Sequence, residues 1–518
     1  MMDGIELEIF KGLLSAIPEE MGVALRRSSF SANIKERLDF SCALFDREAQ
    51  MIAQAAHIPV HLGAMPLSVQ ACMDELELEP GDVAILNDPF RGGTHLPDIT
   101  LVSPIFLGGE LFGFTANRAH HADVGGITPG SMPISTDVYQ EGLLIPPSKL
   151  VVGGELNEEL WARIMAEVRT PDERSGDLRA QLAANHIGIL RALELMKKYD
   201  PDLVRTATAA LLEYSERLTR ELLIDLPAGT YHFSDQMDDD GISPESAVIE
   251  VAITIENGNA VVDFAGTSRQ RQGSINAVRA IAVSAVYYVF RCLLRSEVPN
   301  NSGSMRPIKV LTPEGSLVNA IPPASVAGGN VETSQRIVDV LLGALAQVLP
   351  DRIPAASQGT MNNLTIGGRD PVRDRPFAYY ETIAGGAGAS PQRPGANAIH
   401  THMTNTLNTP IEAIEYEYPL RVTRYAVRAN SGGEGKFAGG DGIVREIELL
   451  SQAEVTILSD RRRFPPYGLA EGKDGQVGRN TLAREDSEEE VPGKISQQMK
   501  QGERIRIETP GGGGHGEA

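Results

Sequence analysis

Apolar and polar positions follow different periods along the chain, and the changes of period mark its elements. Between residues 5 and 28, Ile5, Phe10, Leu13, Leu14, Ile17, Met21 and Leu25 recur at helical spacing with Glu and Lys between them. That spacing places them on one face and predicts a helix packed on the core. From Arg37 the period shortens to two. Residues 38–45 alternate, Asp46-Arg47-Glu48 makes a turn, and Met51-Ile52-Ala53 resumes, which predicts a β-hairpin. A helix is expected near 64–76, and a short strand at 83–86 follows the Pro80-Gly81-Asp82 turn. Strands at 98–106 and 111–117 flank Gly108-Gly109 and predict a second hairpin.

Residues 155–225 read as helices, broken near Thr170-Pro171 and Asp200-Pro201, because proline ends the helix that precedes it. Strands return over 229–263. The run 280–290 is the most apolar in the chain, but Arg291 stops it. It is too short to cross a bilayer and predicts a buried helix. Residues 303–329 are turn-rich, 334–349 form an amphipathic helix ended by Pro350, and 358–445 are glycine-rich with scattered strands. Late strands fall at 455–458 and 505–507. The acidic segment 483–491 reads as a solvated loop, Asp238-Asp239-Asp240-Gly241 as a solvated turn, and the glycine-rich 510–516 as a floppy end. Gly385-Gly386-Ala387-Gly388 and Gly439-Gly440-Asp441-Gly442 read as tight turns or points of close backbone packing. The expected fold is α/β mixed (α+β), multi-lobed and loop-rich, with mixed antiparallel sheets flanked by helices. Four segments are expected: 1–154 with the first helix and the hairpins, 155–228 helical, 229–357 α/β, and 358–518 glycine-rich with strands.

Composition narrows the function. A net charge of −22 argues against a nucleic-acid surface, which needs a positive field. Cys42, Cys72 and Cys292 are the only cysteines and form no CxxC pair, which fits a reducing compartment and argues against a thiolate metal site. The start Met1-Met2-Asp3-Gly4 lacks a basic, apolar leader. The expectation is a cytoplasmic protein without a membrane segment. Neither a P-loop nor a Gly-x-Ser-x-Gly elbow occurs in the sequence.

The histidines carry the candidate chemistry. His95 and Asp98 frame a Leu-Pro step entering one strand, and His120-His121 follow its antiparallel partner. The hairpin brings the two ends together, so His95, Asp98 and His120 share one rim. Imidazole nitrogen with carboxylate oxygen suits Zn, Mn or Fe. His121 and Asp123 are candidates for acid–base work, and Arg91 and Arg118 for anchoring a carboxylate or phosphate. His57 and His61 are spaced i, i+4, but Pro59 lies between them, so a substrate-facing loop or plain packing is favoured over a helical metal site.

Longer motifs add a resemblance. NIKERLDFS (33–41), NDPFRGGTHLPDITLVSPIF (87–106), RAHHADVGG (118–126), EGLLIPP (141–147), GDLRAQLAAN (176–185), DFAGTS (263–268), GGNVETSQRIVD (328–339), GGAGAS (385–390) and the glycine-rich end resemble the hydantoinase B/oxoprolinase family over the whole chain. The resemblance implies a mononuclear divalent metal site on Asp39, His95, Asp98 and His120, with Glu36 as a neighbour or alternate ligand. It implies an obligate hydantoinase A-type partner subunit that binds ATP, hence a hetero-oligomer. The implied reaction is the opening of a cyclic amide activated by phosphorylation. The alternative is the metal subunit of an ATP-dependent ketone carboxylase of the acetone or acetophenone type.

Overall fold

The first helix forms as its apolar stripe dictates. The computed structural model describes every residue except Met1, Ala56, His57, Ser296 and Asp486, and in it helix α1 covers Gly4–Ser28. Asp3 caps it, its Oδ1 accepting from the backbone N–H of Ile5 and Glu6 at 2.9 and 2.8 Å. This satisfies two donors that a helix start otherwise leaves free. Phe10, Leu14, Ile17, Met21 and Leu25 are buried, whereas Ile5 is exposed.

The next elements are α2 (Ala32–Lys35), β1 (Phe40–Asp46), β2 (Met51–Gln54), α3 (Met65–Glu75), β3 (Val83–Leu86), β4 (Asp98–Leu107), β5 (Glu110–His120), β6 (Ser148–Val152) and β7 (Glu155–Leu156). The strands form one seven-stranded sheet in the order β2-β1-β5-β4-β3-β6-β7, antiparallel throughout. The β4–β5 hairpin is longer than the alternation suggests, because β5 continues past Asn117 to His120.

Three helices follow, α4 (Glu158–Glu167), α5 (Pro171–Lys198) and α6 (Pro201–Asp225), broken at the two predicted prolines. Helix α5 packs against α1 and lies across β4 and β5. Its contact with the sheet is partly polar. Gln181 Nε2 donates to Ile99 O at 2.9 Å and Asn117 Oδ1 at 2.8 Å. Asn185 Nδ2 donates to Ser103 Oγ at 3.0 Å. Spaced i, i+4, the two amides face the same way from the helix.

A second sheet, in the order β11-β10-β9-β8, is built from β8 (Gly229–Met237), β9 (Ala247–Glu256), β10 (Asn259–Asp263) and β11 (Ile308–Leu311). Strand β11 lies in a region whose turn residues conceal it, and it pairs parallel to β10. The apolar run is helix α7 (Arg279–Leu293) and is buried as expected. A π-helical turn, Gly329–Thr333, leads directly into α8 (Ser334–Ala346).

The rest is two antiparallel sheets. They use β12 (Asn363–Asp370), β13 (Arg375–Glu381), α9 (Ile411–Glu417), β14 (Leu420–Arg428), β15 (Gly442–Leu449), β16 (Ala453–Leu458), β17 (Arg479–Arg484), β18 (Ser487–Val491), β19 (Lys494–Met499) and β20 (Arg504–Glu508). Their orders are β13-β12-β16-β19 and β14-β15-β20-β17-β18. The architecture is therefore the expected mixture of largely antiparallel sheets and helices. Its main core runs from Ile58 to Leu458 in sequence.

Three local expectations need correction. The acidic stretch is a hairpin, with Asn480 paired to Val491 and Arg484 to Ser487. Leu482, Ala483 and Val491 are buried while Glu488, Glu489 and Glu490 face water. Arg506 and Arg484 take up part of that charge at 2.8 Å. Asp238 and Asp240 are buried rather than solvated. Asp238 Oδ1 accepts from the N–H of Arg463 and Phe464, each at 3.1 Å.

The glycine-rich end is not floppy. Gly511 to Gly514 are buried and thread between other glycine segments. Gly512 N donates to Gly440 O at 2.9 Å, Gly513 N to Ala356 O at 2.8 Å, and Gly514 N to Lys473 O at 2.8 Å. A Cβ built at Gly512 would lie 2.0 Å from Ala387 O, and one at Gly440 would lie 2.0 Å from Ala396 O. Backbones approach this closely only where no side chain intervenes.

Candidate metal centre

Strand registry builds the site. Residues opposite one another on adjacent strands share a face, and neighbours along a strand point to opposite faces. Ala119 pairs with both Phe40 and Ile99. One step along, Asp39, His120 and Asp98 therefore form a cross-strand row at the sheet rim. Ser41, Arg118 and Thr100 form the next row on the same face. His95 joins from the loop entering β4, where Asp98 N donates to His95 O at 3.1 Å.

Three side chains converge there. His95 Nε2 is 3.3 Å from His120 Nδ1, and each lies 3.1 Å from Asp98 Oδ1. All three residues are buried, with their candidate ligand atoms within 4.8 Å of one another. The other carboxylate oxygen, Asp98 Oδ2, accepts from Thr94 Oγ1 at 2.7 Å. It also faces His61 Nε2 at 3.5 Å, and the Nδ1 of that ring is bonded to Ser41 Oγ at 2.8 Å. Burial alone would raise the Asp98 carboxyl. The nearby His95 and the hydrogen bonds from His120 and His61 outweigh it and hold the group well below the usual carboxylate range. Burial pushes the His120 ring down, against the pull of Asp98 and Asp39, so it is neutral at neutral pH. A neutral imidazole is the form that binds metals. An N,N,O donor set of this kind fits a divalent transition ion.

The surroundings come from distant parts of the chain. The His120 ring stacks on Tyr380 with centroids 4.6 Å apart, and the Arg37 guanidinium lies 4.8 Å from the same Tyr380 ring. Tyr380 Oη donates to Asn363 Oδ1 at 2.9 Å. Asn363 Nδ2 donates in turn to Glu332 Oε1 at 2.7 Å, as Met361 N does at 3.0 Å. Burial pushes the Glu332 carboxyl up to about 7. From the same π-helical turn, Asn330 Nδ2 reaches to 3.0 Å from His95 Nε2. The sequence singled out none of Asn330, Glu332, Asn363 and Tyr380 as site residues, and it favoured packing or a loop role for His61. Asn330 and Glu332 do sit in the noted GGNVETSQRIVD motif, but Asn330 is 235 residues from His95.

The remaining expected residues fall in different places. Asp39 is in the row, and its carbonyl accepts from His120 N at 3.0 Å. Its carboxylate is not among the three converging groups, although its charge acts on His120 and Tyr380. Glu36 lines a surface groove of about 620 Å³ with Lys35, Arg375 and Tyr416. His57 lies outside the described residues. His121 points to the opposite face, where Nε2 bonds Gln181 Oε1 at 2.9 Å, and burial pushes its ring down to about 4. Asp123 organises the following loop, accepting from Gly125 N at 3.0 Å and Gly130 N at 3.1 Å and pairing with Arg169 at 3.0 Å. Arg118 is buried on the triad's face and donates to Thr100 Oγ1 at 2.8 Å and Ser68 Oγ at 2.6 Å. Burial pushes its guanidinium down to about 10. Arg91 is half exposed and paired with Glu75 at 2.8 Å.

A buried His–Asp–His group on the rim of an antiparallel hairpin, within this order of sheets, defines a class. The chain belongs to the hydantoinase B/oxoprolinase family, whose family model matches residues 3–518. It is 44% identical to an uncharacterized protein of Methanocaldococcus jannaschii, covering 99% of this chain and 91% of that one. It is 40% identical to a 5-oxoprolinase of Dictyostelium discoideum, where the match covers all of this chain but only 40% of the relative. The crystal structure of an ATP-dependent caprolactamase from Pseudomonas jessenii superposes with a TM-score of 0.93 at 30% identity, covering 100% of this chain and 92% of that one. A nucleotide-free acetone carboxylase shares the fold, with a TM-score of 0.89 at 18% identity over 98% of this chain and 75% of that one. Among the described residues no helix is long and apolar enough to cross a membrane.

Proposed function

We propose that this chain holds one divalent ion, zinc or manganese, on His95, Asp98 and His120, with Asp39 completing the set, and opens the ring of a cyclic amide that ATP has activated. One observation carries the reading: two imidazole nitrogens and a carboxylate oxygen meet, buried, within 4.8 Å of one another. When bound, such an ion supplies a Lewis acid and a water acidic enough to attack near neutral pH. The protein's own contribution is placement. Thr94 Oγ1 and His61 engage Asp98 Oδ2 and leave Oδ1 turned toward the two rings. His61, held by Ser41, faces Asp98 Oδ2 at 3.5 Å and fixes the orientation of that carboxylate. Arg118 sets a buried positive charge one strand row away. His121 and Asp123, the acid–base candidates of the sequence, act in this reading by fixing the β5 end against α5 and the following loop.

The amide substrate class is supported by the relatives' names, which denote enzymes of 5-oxoproline and caprolactam, both ring amides. The chain spans 40% of the Dictyostelium 5-oxoprolinase it matches and carries no P-loop. ATP binding on a hydantoinase A-type subunit in a hetero-oligomer is part of the proposal, and the missing P-loop is compatible with it. The test is to co-express the chain with such a subunit and measure ATP-dependent ring opening of 5-oxoproline, hydantoin and caprolactam. Chelator-sensitive turnover of one of them is expected. Ketone-dependent fixation of labelled bicarbonate, with no ring opening, would establish the carboxylase alternative instead.

A further inference from the structure

The geometry points to Asn330 as a further ligand of this centre, one that changes role when the ion binds. The inference rests on the metal reading above. Around an ion with bonds of about 2.1 Å, neighbouring ligand atoms lie about 3.0 Å apart in an octahedron and about 3.4 Å apart in a tetrahedron. The three edges among His95 Nε2, His120 Nδ1 and Asp98 Oδ1 are 3.3, 3.1 and 3.1 Å. The Asn330 amide extends the same polyhedron. Its Nδ2 is 3.0 Å from His95 Nε2 and 3.4 Å from the second Asp98 oxygen, Oδ2. The amide thus stands at ligand-to-ligand distance from one candidate ligand atom, His95 Nε2, and bridges to the outer oxygen of Asp98.

As placed, the NH2 bridges the ring and the carboxylate, as a donor can without a cation. An NH2 cannot donate a lone pair to a metal, whereas the carbonyl oxygen of the same group can. That oxygen, Asn330 Oδ1, is buried and has no hydrogen-bond partner among the described residues. A buried acceptor left without a donor is unfavourable. A half-turn about the terminal torsion exchanges the two atoms and directs Oδ1 at the ion. The residue that would make this turn is held firmly. Gly329 packs so that a Cβ there would lie 1.9 Å from Asn276 O. Glu332 anchors the other end of the turn through Met361 N and Asn363. Thr333 Oγ1 donates to Ile275 O. π-Helical turns of this sort concentrate at functional sites.

The primary test is a crystal structure of the full wild-type chain soaked with ZnCl2 or MnCl2. The expected result is an ion on His95, Asp98 and His120 with Asn330 Oδ1 about 2.0–2.2 Å away. An ion on those three with Oδ1 beyond about 3 Å overturns the inference and leaves the metal reading intact. No ion on the three overturns the metal reading, and the inference with it. Calorimetric titration with the same ions is the second measurement. Asn330→Ala is expected to bind about ten- to a hundredfold more weakly, and Asn330→Asp, which keeps an oxygen in place, at least as tightly as wild type. Equal affinity of wild type and Asn330→Ala overturns the inference.

Discussion

The β4–β5 rim and the glycine-rich C-terminal bundle are both buried, yet they depend on opposite properties of the chain. At the rim, function lies in side chains: strand pairing only has to deliver His120, Asp98 and Asp39 to one row, and small backbone errors are absorbed by rotamers. In the bundle, order lies in the absence of side chains. Gly386, Gly440 and Gly512 bring carbonyl oxygens to within 2.0 Å of where a Cβ would stand. Burial therefore says nothing by itself about how a position will respond to substitution. What decides it is whether the neighbouring atom is a movable side chain or a fixed backbone.

The comparison is sharpest at the glycines. Gly512→Ala places its methyl on Ala387 O, a backbone atom that cannot swing away, and is expected to cost at least about 3 kcal/mol, enough to deplete folded protein. Gly12→Ala, in α1 with nothing within 4 Å of the new Cβ, is expected to be neutral or to stabilise by up to about 1 kcal/mol. Thermal unfolding of both variants checks the contrast, and similar melting temperatures would overturn it.

At the rim the expected effect is on metal and not on folding. Asp98→Asn keeps the shape but loses the anionic ligand, so zinc affinity should fall by more than about a hundredfold, beyond what loss of an outer-shell partner costs, while the metal-free melting temperature moves by a few degrees. Competition with a chelator reads the first and calorimetry the second. Wholesale unfolding would mark the triad as a structural element.

Glu332 gives a smaller, pH-dependent effect. Its folded carboxyl titrates near 7, above the ordinary 4.5. The folded state therefore holds the proton more tightly, and this group's contribution is fully present below about pH 4 and is lost as pH rises through 7. Denaturant unfolding from pH 4.5 to 7.5 should show wild type losing stability relative to Glu332→Gln as pH rises. Parallel curves would show that burial does not raise this carboxyl. Smallest of all, Arg91→Ala removes a half-exposed ion pair with Glu75 and should change stability by less than about 0.5 kcal/mol and metal affinity not measurably.

The legible part of this protein was local. The apolar stripe of α1 follows from its period, the breaks at Pro171 and Pro201 from proline chemistry, and the buried α7 from the most apolar run of the chain. The His95–Asp98–His120 group was within reach because its two strands are consecutive and a hairpin must bring their ends together. His121 illustrates the limit of that reasoning: it is adjacent to His120 in sequence, and strand alternation turns it to the other face, onto Gln181. Tail and acidic segment were misread because composition describes what residues prefer when alone, and both segments have partners.

By itself the sequence determined which side chains could bind a divalent ion and which short-range elements would carry them, because hairpin closure and helical period act over a few residues. Only the tertiary structure decided what surrounds those ligands. Asn330 and Glu332 on the π-helical turn and Tyr380 on β13 come from parts of the chain far from the hairpin, Asn330 meeting His95 and Tyr380 stacking on His120. The glycine segments order one another through hydrogen bonds between distant backbones. Contacts of that kind leave no periodic trace, since the residues on either side need only fit a neighbour that the chain has not yet reached.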